Sequence, residues 1–111
     1  MKVLFIEDDD QIADLVKQNL KDLGHNFVWC HDGESVVKVL ENFGLEHFDF
    51  VLSDVQVPGY NILQMKDACD KRQIPLLVQS GNVRTYHEFQ MQKALDKEEL
   101  EEMMERTMGA I

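Results

Sequence analysis

The sequence predicts one α/β domain, a doubly wound parallel β-sheet with helices on both faces. Three observations predict it. Short apolar runs end abruptly in acids or turn residues, as strands buried on both faces do. Segments with apolar residues at helical spacing stand between those runs, as crossover helices must. Capping and breaking residues mark the joints between the two patterns.

The first strand is Val3-Leu4-Phe5-Ile6, cut off by Glu7-Asp8-Asp9-Asp10. Asp9 or Asp10 can cap the helix that follows, which carries Ile12, Leu15, Val16, Leu20 and Leu23 and stops at Gly24. Phe27 to Cys30 reads as a second strand, closed by the turn signal Asp32-Gly33. Val36, Val37, Leu40 and Phe43 predict a second helix, and Phe48 to Ser53 a third strand that stops at Asp54. Pro58-Gly59 breaks the chain, and Asn61 caps a helix turning Ile62, Met65 and Cys69 inward. Pro75 to Gln79 is a fourth strand and Phe89 to Gln92 a fifth. Asp96 and Glu99 have capping-box spacing ahead of a last helix that buries Leu100, Met103 and Met104. No repeat, linker or low-complexity tract divides the chain, so residues 1–111 read as one domain.

Composition narrows the function. A chain of 111 residues, 44% hydrophobic and 29% charged, has the balance of a globular domain with its own core. Eleven Lys and Arg against 21 Asp and Glu give a formal charge of −10, which opposes nucleic-acid binding and favours a cation or a basic partner. No apolar run approaches the roughly 20 residues of a membrane span, and the N-terminus has no signal-peptide pattern. A cytoplasmic location without membrane contact is the expectation. Cys30 and Cys69 lack metal or redox spacing and read as buried free thiols. The four histidines are scattered without ligand spacing, Trp29 packs under a helix, and Met91, Met103, Met104 and Met108 read as core filling. There is no Gly-rich phosphate loop and no nucleophile elbow.

In open parallel sheets, ligands bind beyond the carboxyl ends of the strands where strand order switches. With flavodoxin-like order 2-1-3-4-5, the first and third strands are neighbours at about 4.8 Å. Glu7 and Asp8 end the first and Asp54 ends the third, so three carboxylates converge. Their mutual repulsion is relieved by a hard divalent ion with oxygen ligands. Such an ion also neutralises charge on a transferring phosphoryl group. Ser80, after the fourth strand, can offer a hydroxyl to a phosphate oxygen, and Lys93, after the fifth, a positive charge.

The ordered set "VLFIEDD", "FDFVLSDVQVPG", "PLLVQSGN" and "QKALDKEEL" resembles the successive signatures of two-component response-regulator receiver domains over nearly the whole chain. The resemblance implies that Glu7 and Asp8 hold Mg²⁺ (or Mn²⁺), with Asp8 the direct ligand and the backbone carbonyl of Gln56 another. It implies that Asp54 is the phosphoacceptor, Ser80 the switch hydroxyl and Lys93 the phosphate-contacting lysine. The donor is then a histidine kinase, a phosphotransfer protein or a small acyl phosphate. Output passes to a downstream protein partner, with no turnover of an external substrate.

Several positions depart from the family pattern. Ile62 stands where a small residue, commonly glycine, is usual, and a β-branched side chain does not take positive φ comfortably, so the loop after Asp54 is expected to run differently. Ala94 replaces the proline of a cis peptide, and Gln90 replaces an aromatic switch residue. Ser80 and Lys93 are 13 positions apart, too few for a strand and a helical crossover of about a dozen residues. A shortened connection therefore replaces the fourth helix, and the fifth strand is either parallel, reached by an extended loop, or antiparallel in a hairpin at Gly81-Asn82. The capping box after Lys93 favours the parallel form, which keeps Lys93 at the acidic end. The rival to a phosphoacceptor is a degenerate receiver acting as a phosphorylation-independent protein-binding module. A metal-dependent phosphatase shares the same acids.

Overall fold

Val3, Leu4, Phe5 and Ile6 are all fully buried, as residues of a strand covered on both faces are. The computed structural model describes residues 1–80, 90–92 and 96–109. In chain order the elements are β1 (Lys2–Ile6), α1 (Asp10–Asp22), β2 (Asn26–Cys30), α2 (Gly33–Phe43), a 3-10 turn (Leu45–His47), β3 (Phe50–Asp54), α3 (Ile62–Arg72), β4 (Leu76–Ser80), β5 (Gln90–Gln92) and α4 (Lys97–Gly109). β1 lies between β2 and β3, and β4 lies beyond β3, all parallel. The backbone of Gln90–Gln92 pairs parallel with β4 on its far side.

Alternation along the strands splits the core in two. Leu4, Ile6, Val51 and Val78 face α2 and α3, where Val36, Met65 and Cys69 meet them. Val3, Phe5, Phe50, Leu52 and Leu77 face the other way, against Ala13, Val16 and Leu20 of α1 and Leu100 and Met104 of α4. Burying a Leu or Phe of this kind contributes roughly 1.5–3 kcal/mol each. Both faces are apolar, so the sheet can form only with helices on each side.

The helix ends follow their capping chemistry. Asp9 accepts from the amides of Gln11 and Ile12, and Asn61 from those of Leu63 and Gln64. Asp96 accepts from the amide of Glu98. Gly24 takes the left-handed conformation, at φ +83°, that ends α1.

Local details differ from the sequence expectation. Asp32-Gly33 is not a turn: Asp32 caps α2, accepting from the Ser35 amide at 2.7 Å, and Gly33 is already helical. Phe48 belongs to no strand; it is buried after the 3-10 turn, and β3 begins two residues later. Leu15 and Val37 are about half exposed, because adjacent residues on a helix point about 100° apart and Val16 and Val36 take the inward positions. Met104 fills the core as expected, whereas Met108 is 37% exposed. Ile62 is the first residue of α3 and has no positive φ; Gly59, at φ +71°, supplies the left-handed residue of the loop. Residues 81–89, which include the shortened connection, and the Lys93–Ala94 bond lie outside the described residues.

Candidate functional site

The strand register builds an acidic pocket. Ile6 pairs with Ser53, so Glu7 falls level with Asp54 one residue further on, at the carboxyl edge of β1 and β3. Alternation turns both side chains toward the α1 face. Glu7 is fully buried, Asp54 is 5% exposed and Asp8 is exposed. One carboxylate oxygen from each of Glu7, Asp8 and Asp54 lies within 4.8 Å of the others. Two buried acids and one at the mouth, brought together by main-chain register, converge as the sequence predicts.

The two buried acids are held by their surroundings. The Asp9 amide donates to Glu7 Oε2 at 3.2 Å, so the residue that caps α1 also steadies Glu7. The Glu7 amide donates to the Cys30 carbonyl at 3.1 Å, and Trp29 Nε1–H donates to the Glu7 carbonyl at 2.9 Å. The Lys17 ammonium sits 4.1 Å above the Trp29 ring, a cation–π contact that fixes the indole. The Val55 amide donates to Asp54 Oδ1 at 2.7 Å.

Behind Asp54, on the α2–α3 face, lies a polar pair the sequence reading missed. Ser53 Oγ donates to the Asp54 carbonyl at 2.7 Å and is 2.7 Å from the Tyr60 hydroxyl. Burial pushes the Tyr60 phenol above its ordinary range, with the bond to Ser53 acting in the opposite sense. Gln79, also buried, is the register partner of Asp54 on β4. A polar residue inside each of the runs Phe50–Asp54 and Leu76–Ser80 was the available signal for Ser53 and Gln79.

Ser80 ends β4, in the strand next to Asp54, but its side chain lies outside the described residues, as does Lys93 altogether. Gln56 is exposed in the loop two residues past Asp54. The donor set fits a hard cation: it is all oxygen, two of its acids are buried, and it is open at Asp8 for water or phosphate oxygens.

An acidic pocket at the switch point of a 2-1-3-4 parallel sheet defines a class of domain, and the comparisons agree on which. No family model matches the sequence. The transcriptional regulatory protein CpxR of Escherichia coli is 31% identical over 78 residues, which cover 69% of this chain and 32% of that protein. The chain spans only about a quarter to a third of the curated relatives it matches. The receiver domain of the hybrid histidine kinase CckA is 26% identical with a TM-score of 0.73, covering 97% of this chain and 99% of that one. A CheY-like receiver domain from Methanospirillum hungatei superposes with a TM-score of 0.79 at 18% identity, over 98% and 94% of the two chains, which shows the shared fold. The chain is a response-regulator receiver domain of two-component signalling.

Proposed function

We propose that residues 1–111 act as one receiver domain that accepts a phosphoryl group on Asp54. The observation that carries this is the convergence of Glu7, Asp8 and Asp54 within 4.8 Å at the carboxyl edge of the sheet. Glu7, Asp8 and Asp54, with the Gln56 carbonyl, are the residues that would hold Mg²⁺ or Mn²⁺. When bound, such an ion neutralises the crowded carboxylates and the charge of the transferring group.

The rest falls to the chain itself. An Asp54 oxygen attacks phosphorus in line, an acyl phosphate bond forms, and the bond from phosphorus to the donor's nitrogen or oxygen breaks with the electron pair leaving on the donor. The Val55 amide, already on Asp54 Oδ1, orients the carboxylate for that attack. Ser80 and Lys93 contact the phosphoryl oxygens, Lys93 being carried to the acidic end by a parallel β5 on a connection too short for a helix. The donor is a histidine kinase or a phosphotransfer protein in the cytoplasm, and the signal passes to a protein partner with no external substrate turned over. No described helix is long and apolar enough to cross a membrane.

Intact-mass measurement after incubation with acetyl phosphate tests the reading. A single adduct that requires Mg²⁺ and is lost in Asp54→Asn is the expected result. No adduct from any small donor, with the fold intact, replaces it with the phosphorylation-independent binding module.

A further inference from the structure

We propose that Tyr60 is a positioning residue for Asp54, acting through Ser53 and the peptide unit between Asp54 and Val55. The inference rests on reading Asp54 as the phosphoacceptor, but its geometry stands without that reading.

The direction of the relay follows from counting protons. Ser53 has one hydroxyl proton, and the Asp54 carbonyl can only accept, so that proton is spent on the carbonyl. The 2.7 Å contact between Ser53 Oγ and the Tyr60 hydroxyl must then have Tyr60 as donor. The chain runs from Tyr60 O–H to Ser53 O–H to the carbonyl of Asp54, and each link polarises the next.

A carbonyl pinned in this way fixes more than itself. The C=O of Asp54 and the N–H of Val55 belong to one rigid planar unit and point in opposite directions. Holding the oxygen toward the α2–α3 face therefore aims the N–H toward the other face, where it meets Asp54 Oδ1 at 2.7 Å. Ser53 is fully buried, where a hydroxyl costs stability unless it is bonded on both sides. An aliphatic residue would fill that place with less penalty, but it could not donate to the carbonyl as the Ser53 hydroxyl does. Tyr60 also lines a groove of about 270 Å³ between α2 and α3, with Val36, Leu40 and Met65. The relay thus joins the floor of that groove to the acceptor carboxylate.

Nuclear magnetic resonance of the metal-free full chain tests this through the Val55 amide, alongside the rate of adduct formation. In Tyr60→Phe and Ser53→Ala, the Val55 amide proton is expected to shift upfield and exchange faster by roughly threefold to tenfold, the loss of one hydrogen bond's constraint. The adduct rate should fall by a similar factor. The double variant should be no worse than Ser53→Ala alone, and Ser53→Thr should restore most of both readouts. A purely structural role would lower the unfolding midpoint while leaving the Val55 amide at its wild-type position, and that result in folded Tyr60→Phe overturns the proposal. Should Ser53→Ala fail to fold, Tyr60→Phe keeps the ring in place and decides alone. A Val55 amide that moves as expected in a protein taking no phosphoryl group removes the phosphoacceptor reading and leaves the positioning role standing.

Discussion

The amide of Gly33 donates to the carbonyl of Pro58 at 2.7 Å, locking the start of α2 onto the loop that follows the acidic site. The approach is closer than any side chain permits. A Cβ at residue 33 would lie 1.9 Å from the Gly59 carbonyl oxygen and 2.2 Å from its carbon, both main-chain atoms. Gly33 is required here by close approach, since its own φ is not in the left-handed region.

Gly33→Ala must push the Pro58-Gly59 loop away from α2. The expected cost is about 1–3 kcal/mol, the usual range for overpacking a tight contact. Urea unfolding measures it, and Gly24→Ala serves as contrast, since nothing lies within 4 Å of a Cβ there and only the φ of +83° resists it. A Gly33→Ala protein as stable as wild type shows that the loop yields freely.

Trp29 should report metal binding. Its indole donates to the Glu7 carbonyl at 2.9 Å and is clamped by Lys17, so charge arriving at the Glu7–Asp8–Asp54 pocket changes the field at the ring. Titration with Mg²⁺ or Mn²⁺ is expected to give a saturable change in Trp29 fluorescence that weakens markedly in Asp54→Asn and in Glu7→Gln. Equal responses in wild type and both variants would mean that the ion binds elsewhere.

The parts of the fold legible in sequence were those that repeat. Apolar runs between helical segments located β1 to β4, and the flavodoxin-like order taken for them put Glu7, Asp8 and Asp54 together, where the register of β1 and β3 brings them. Contacts between elements left no such trace. Asp32-Gly33 has the composition of a turn; Asp32 instead caps α2 locally, and the close approach of Gly33 to Gly59 depends on a loop 26 residues away. Leu15 and Val37 satisfy a helical pattern as well as Val16 and Val36 do, and only the position of the sheet decides which pair turns inward. Tyr60 and Ser53 are 7 residues apart across a strand end and a loop, a separation with no periodic signature.

Asn61 should matter for stability more than for the site. Its side chain accepts from the amides of Leu63 and Gln64 at 2.9 and 3.3 Å, satisfying two donors at the start of α3. Asn61→Ala is expected to cost about 1 kcal/mol, and Asn61→Asp, which keeps the acceptor, much less. Chemical denaturation separates the two. Equal losses would mean that the cap contributes little beyond what water supplies to the exposed amides.

The two thiols make the fold sensitive to alkali. Burial pushes the Cys30 thiol up to about 11, helped by the nearby Asp32 carboxylate, and burial pushes Cys69 up to about 12. The ordinary thiol value is 9.0, so between pH 9 and pH 11 the unfolded chain releases these protons while the folded chain retains them. Stability is therefore at its full value below about pH 9 and is lost as pH rises through the folded values. Tyr60, raised by burial in the same direction, adds to the loss above pH 10.0, its ordinary value. Urea midpoints measured from pH 8 to pH 11 should fall steadily, and the fall should shrink in the Cys30→Ala, Cys69→Ala double variant even though its midpoint at pH 8 is lower. Because the thiolate is the reactive form, a disulfide reagent at pH 8 should label the folded protein far more slowly than the unfolded chain. A double variant with the wild-type pH slope would place the alkaline loss on Tyr60 or on the lysines instead.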